Sequence, residues 1–150
     1  MYISVIGGEQ CSKEIYNMAI EVGKRIARLG AILITGGRGG VMEAVSKGAK
    51  MENGITIGIL PSMDRKEGND YLDYKIVTGL GYARNILVVA NGDIVIAIDG
   101  HYGTLSEIAF ALEYGKPVFG LRSWNVGIEN FNNVDDLFDE VEKLIDREHL

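Results

Sequence analysis

Cysteine, proline and clustered basic charge are what this sequence has least of. Cys11 is the only cysteine, so no internal disulfide can form, and no second histidine or cysteine lies near His101 in the sequence to complete a metal site. Lysine and arginine number 15 against 21 aspartates and glutamates, a net charge of −6, and they gather into no arm or patch. That balance repels a polyanion and argues against general nucleic-acid binding, while leaving room for a small anion held by backbone N–H groups. No apolar run approaches the roughly 20 residues that span a bilayer, and the opening MYISVIGG enters a strand pattern with no charged leader. The expectation is a protein of the reducing cytoplasm with no membrane partner. Also missing are GxxxxGK followed by Ser or Thr, H-E-x-x-H, CxxC and G-x-S-x-G. No glycine cluster completes G-x-G-x-x-G, because Met42 stands where the third glycine belongs, so neither Walker-type ATP binding nor NAD binding is expected.

Glycine is abundant instead, 20 residues with neither a collagen period nor a serine-rich linker, which points to tight turns or backbone pressed close to something. The chain suits one domain over residues 1–150 with its own hydrophobic core. Short apolar runs at Tyr2 to Ile6, Ala31 to Thr35, Ile55 to Leu60, Tyr74 to Thr78, Asp93 to Ile98 and Val118 to Leu121 predict strands, the last of these closing the sheet. Between them, helical stripes run along Ile15, Met18, Ala19, Val22, Ile26 and Leu29, capped by Ser12, and along Val41, Met42, Val45 and Ala49. Gly81 to Asn91 predicts a helix with no wide polar face, buried on several sides or set in a subunit interface. Leu105, Ile108, Ala109 and Leu112 predict a fourth helix, and Asn132 or Asn133 caps a fifth with the stripe Val134, Leu137, Phe138, Val141, Leu144 and Ile145. Pro61 to Asp70 reads as a polar surface loop. Alternation of this kind predicts a single Rossmann-like α/β domain, a mostly parallel, doubly wound sheet with helices on both faces.

Gly7-Gly8, Gly36 to Gly40 and Gly100 to Gly103 each follow a strand and precede a helix, so they converge on the carboxyl edge of a parallel sheet, where ligands of such folds bind. Helix N-termini at that edge offer free N–H groups, and glycine lets a phosphate approach them. Gly8, Gly36, Gly37, Arg38, Gly39 and Gly40 are therefore candidate phosphate-binding residues, as are Asp99, Gly100, His101, Gly103 and Thr104; the alternative is that the glycines only make tight turns.

Thr104-Leu105-Ser106-Glu107 reads as a capping box, Thr104 capping and Glu107 bonding back. Glu107 also lies about 200° around the helix from Leu105, on the turn nearest the ligand edge, where it could act as acid, base or cation stabiliser. Arg84 is the only charged residue between Ile76 and Gly92 and sits where a helix dipole disfavours a cation, a conflict that a neighbouring anion resolves; a surface position or an intersubunit ion pair is the plain alternative. Trp124 reads either as a base-stacking ring or as partial core packing, and Cys11 as an idle thiol.

Taken together, Thr35-Gly36-Gly37-Arg38-Gly39-Gly40-Val41-Met42, Gly81-Tyr82-Ala83-Arg84-Asn85 and Gly100-His101-Tyr102-Gly103-Thr104-Leu105-Ser106-Glu107 resemble the Lonely Guy (LOG) superfamily, often mislabelled as lysine decarboxylases. The resemblance covers about Tyr2 to Phe119. It implies the chemistry of phosphoribohydrolases, which cut the N-glycosidic bond of nucleoside 5′-monophosphates, with the motif P-G-G-x-G-T-x-x-E and an upstream arginine. On that alignment Gly103 and Thr104 hold the 5′-phosphate, while Arg84, fifteen positions before Asp99, and Glu107 stabilise the ribosyl cation and the departing base. The sequence departs from the motif at Asp99 for proline, His101 for glycine, and Asn85 for the lysine that usually follows the arginine. An extra carboxylate beside a phosphate site repels the ligand unless it is neutralised, hydrogen-bonded or meant for another group. The G-x-A-R-N and T-G-G-R-G-G-V-M forms look closer to a small branch that includes molybdenum-cofactor carrier-like proteins, which bind a pterin phosphate without turning it over. The expected ligand is accordingly a nucleoside monophosphate or a molybdopterin-type molecule, and the expected assembly a homodimer or larger homo-oligomer.

Overall fold

A computed structural model describes residues 1–150. Seven strands, β1 (Tyr2–Gly7), β2 (Ile32–Thr35), β3 (Ile55–Leu60), β4 (Tyr74–Val77), β5 (Ile94–Ile98), β6 (Val118–Leu121) and β7 (Glu129–Phe131), form one sheet in the order β4-β3-β2-β1-β5-β6-β7. Every pairing is parallel. The helices are α1 (Lys13–Arg28), α2 (Val41–Met51), α3 (Arg84–Ala90), α4 (Tyr102–Glu113) and α5 (Val134–Glu148). The fold is the expected Rossmann-like one, and the strand order reverses between β1 and β5.

The sheet is buried on both sides because its strands are apolar at successive positions. On β5, Ile94, Ile96 and Ile98 face one core with α1, α2 and α5, while Val95 and Ala97 face the other with α3 and α4. Ile3 and Val5 of β1 join the first core and Ile6 the second. Ser4 also points to the second side, where its hydroxyl donates to the Val88 carbonyl of α3 at 2.6 Å and so needs no solvent.

Local signals set the helix ends. The Ser12 hydroxyl accepts from the Ile15 N–H, and the Asn133 side chain accepts from the Asp136 N–H, each satisfying a donor that a helix start leaves unpaired. Helices α1 and α2 cross at unusually short range through Gly23 and Gly48. A Cβ at Gly48 would lie 1.9 Å from the Ile20 carbonyl oxygen, and one at Gly23 2.0 Å from that of Val45, so only glycine fits at either place.

Four expectations need correction. Val118 to Leu121 is not the last strand: β7 adds an edge beyond it, too short and polar to show the alternation of a strand. Gly81 to Asn91 is not one helix, since a 3-10 turn over Gly81–Ala83 precedes α3. The buried face of α4 is Thr104, Glu107, Ile108 and Ala111, whereas Ala109 and Leu112 are exposed. Because α4 is apolar nearly all round, the hydrophobic stripe could not reveal which side meets the sheet. The capping box is absent too. The helix starts at Tyr102, His101 occupies the cap position without a side-chain bond, and Thr104 and Glu107 face inward.

Candidate functional site

At the carboxyl edge, over the β1/β5 reversal, lies a cavity of ≈ 340 Å³. Its walls come from the end of β1 (Val5 to Gly8), the following Glu9 and Gln10, Gly36 after β2, Met42 on α2, Tyr82, Arg84 and Asn85 at the start of α3, and His101, Gly103, Thr104 and Glu107 of α4. Elements distant in sequence meet here because each parallel strand ends at this edge.

Arg84 anchors the floor. Its Nε donates to the Ile59 carbonyl at 2.9 Å, Nη2 to the Gly36 carbonyl at 3.3 Å and Nη1 to the Asn85 side-chain oxygen. Two of these acceptors lie at the ends of β3 and β2, so the sheet itself orients the guanidinium. Only 8% of Arg84 is exposed, and burial lowers its pKa while Glu107 opposes that shift. The residue is buried and makes no ion pair within the chain, so it is not the surface arginine that its sequence position also allowed.

Glu107 is 6% exposed, lines the same cavity and makes no hydrogen bond to the protein. Burial pushes its carboxyl up to about 8, with Arg84 pulling the other way. Burial thus favours the neutral form of the carboxyl, which lessens its repulsion of an anion and leaves it able to donate. Beside it, the N–H groups of Gly103 and Thr104 in the first turn of α4 have no acceptor in the protein, and no side chain caps the helix. An uncapped 12-residue helix, a buried guanidinium and a carboxyl biased to its neutral form thus border one space, a combination that suits an anion with several oxygens.

The other residues singled out from the sequence fall into three places. Gly8, Gly36, His101, Gly103 and Thr104 line the cavity with Arg84 and Glu107. Gly37, Arg38, Gly39 and Gly40 do not. Gly37 and Arg38 carbonyls accept from the Asn69 backbone and side chain, both at 2.9 Å, and Arg38 pairs with Glu9 at 3.0 Å. Gly40, at φ +60, packs so closely on the neighbouring turn that a Cβ would lie 2.3 Å from the Gly8 oxygen. This segment braces the Gly8 turn, which bears on the cavity. Asp99 and Gly100 face a second hollow of ≈ 300 Å³ with Ser123, Trp124 and Asn125. Sequence reasoning did not single out Glu9, Gln10, Met42 and Tyr82 as cavity residues: Glu9 and Gln10 lie in no motif, and Met42 and Tyr82 lie in the family motifs but only the turn geometry brings them to the cavity.

Solved structures share this fold. The chain is 39% identical to the molybdenum cofactor binding protein of the phototrophic bacterium Rippkaea orientalis, with a TM-score of 0.90 and 96% of each chain covered. It is 35% identical to the molybdenum cofactor carrier protein of Chlamydomonas reinhardtii, with a TM-score of 0.87 over 96% of this chain and 97% of that one. In sequence it is also 32% identical to a cytokinin riboside 5′-monophosphate phosphoribohydrolase of Mycobacterium tuberculosis, over 77% of this chain and 71% of the relative. The fold, the motif order and a family match spanning residues 1–147 lead to one conclusion: the chain belongs to the SLOG cluster4 family.

Proposed function

We propose that the protein binds a phosphorylated heterocycle, a molybdopterin-type molecule or a related nucleotide, as cargo rather than as substrate. The observation that carries this reading is the meeting of the uncapped α4 N-terminus, buried Arg84 and buried Glu107 in one cavity. Gly103 and Thr104 N–H groups would take phosphate oxygens, Arg84 would add charge-assisted bonds, and Glu107 would donate to a remaining oxygen. Similarity to the cofactor-binding and carrier proteins supports a pterin phosphate as the cargo. Calorimetric titration with phosphorylated pterins and nucleoside monophosphates tests the idea. Micromolar binding of at least one, at least tenfold weaker in Arg84→Lys, is expected, because an ammonium cannot serve the three acceptors that hold the guanidinium in place. Absence of binding throughout contradicts it.

A second reading, nucleoside 5′-monophosphate hydrolysis, draws on the positions of Arg84 and Glu107 and on the Mycobacterium relative. A protonated carboxyl beside a fixed cation could assist a departing base while water attacks the sugar. Incubation with a nucleoside monophosphate panel separates the readings. Base release abolished by Glu107→Ala supports hydrolysis, and binding without release supports the carrier.

A further inference from the structure

The hollow beside the main cavity explains the departure at Asp99. Asp99 sits at φ +47, a left-handed conformation that aspartate tolerates better than most residues. The sheet edge holds it there: its N–H donates to the Leu121 carbonyl at 3.0 Å, and its carbonyl accepts from the Ser123 hydroxyl at 2.8 Å. Its carboxylate has no hydrogen-bond or ion-pair partner in the protein, although Arg122 is next to the hollow in sequence; Arg122 is spent on Glu14 and the Asn132 carbonyl. A half-buried carboxylate left free beside an anion site is a conflict only if it faces the anion. Asp99 borders the other hollow, with Trp124 and Asn125, and its charge also reaches the Cys11 thiol, whose pKa burial raises and this charge helps to raise.

Trp124 is fixed in turn. Its indole N–H donates to the His101 carbonyl at 3.0 Å, its ring stacks on Tyr102 with centroids 6.1 Å apart, and it packs in part against the second core, as the packing alternative anticipated. An immobilised aromatic ring and an unpaired carboxylate thus share one small space, and the Gly100–Thr104 turn separates that space from the phosphate-binding end of the cavity. Aromatic rings take heterocycles by stacking, and a carboxylate takes adjacent N–H donors as a pair.

We infer that Asp99 and Trp124 form the heterocycle subsite, Asp99 accepting from the ring N–H and 2-amino group of a 2-amino-4-oxo pyrimidine edge, the edge shared by pterins and guanine. The inference rests on the binding function proposed above. It places the phosphate against Arg84 and Glu107 and the ring across Gly100, so that the two residues on the motif grip the phosphate end and lie away from any bond between sugar and base.

The only tryptophan in the chain is Trp124, so its fluorescence reports on the surroundings of this ring. The test titrates the protein with GMP and IMP, and with 6-hydroxymethylpterin phosphate and its lumazine counterpart; IMP lacks the 2-amino group and the lumazine carries oxygen in its place. The 2-amino member of at least one pair is expected to quench Trp124 and to bind at least tenfold more tightly than its partner. Asp99→Asn keeps a side chain that tolerates the left-handed backbone, and an unchanged melting temperature checks that it folds. In that variant the preference is expected to fall below threefold. Equal binding within both pairs, a preference that survives Asp99→Asn, or binding without any change in Trp124 fluorescence overturns the inference while leaving phosphate binding standing. If none of the four ligands binds by fluorescence or calorimetry, the inference and the proposed function fall together.

Discussion

Glu107 was visible in the sequence as a residue of the right type in the right turn, but its burial was not. The T-x-x-E spacing fits both a solvent-facing capping box and an inward-facing carboxyl, and the difference depends on how α4 is rotated against the sheet. Burial has a measurable consequence. The folded protein keeps the Glu107 proton to about pH 8, whereas the unfolded chain releases it near the ordinary 4.5. Between those values the native state binds more protons, so Glu107 makes stability fall as pH rises, by at most about 1.4 kcal/mol per pH unit, and the effect levels off above pH 8. Glu107→Gln should remove most of that slope in urea denaturation series between pH 5 and 8.5. A slope unchanged by the substitution would show that the carboxyl ionises freely in the native protein. Arg84 was the more legible residue, because a lone cation at the start of an apolar helix demands a reason. Its partners were not legible, since the Ile59 and Gly36 carbonyls are exposed to it only by the way β3 and β2 end.

Among the elements, strands were read with few errors, because continuous β-branched runs bounded by glycine have few other uses. The misreadings fall where that signal is weak, on the three-residue β7, on the 3-10 turn ahead of α3 and on α4, whose outer surface carries Phe110 and Leu112. The pairing of α1 with α2 shows another limit. Gly23 and Gly48 look like ordinary helix-interior glycines that alanine would improve by about 1 kcal/mol. The structure reverses the sign, since a methyl group at Gly48 would meet the Ile20 carbonyl at 1.9 Å. Gly48→Ala is therefore expected to destabilise the protein by about 2 kcal/mol or more in urea denaturation, against the stabilisation that helix propensity alone predicts. A rise in midpoint would mean that the helices do not pack at this range. The same comparison explains the glycine clusters. Gly36 to Gly40 reads from sequence as a phosphate cradle, yet only Gly36 borders the cavity and the rest of the segment braces the Gly8 turn.

At the scale of the whole molecule, the parallel sheet brings four separate turns to one edge, and the sequence motifs acquire a common purpose only there. No helix is long and apolar enough to cross a membrane. The outward faces of α3 and α4 expose Leu87, Phe110 and Leu112, and we propose that they meet in a homodimer or larger assembly. Sedimentation velocity checks this: a mass of two or more chains is predicted, and a single-chain mass at tens of micromolar would contradict it. The central claim, that the cavity holds a phosphorylated heterocycle between the α4 N-terminus and Arg84, is tested most directly by native mass spectrometry of protein incubated with phosphorylated pterins and nucleoside monophosphates. The account predicts a one-to-one adduct per chain for the wild type that is lost in Arg84→Lys. Unliganded protein with every compound, or an adduct retained in full by the variant, would contradict it.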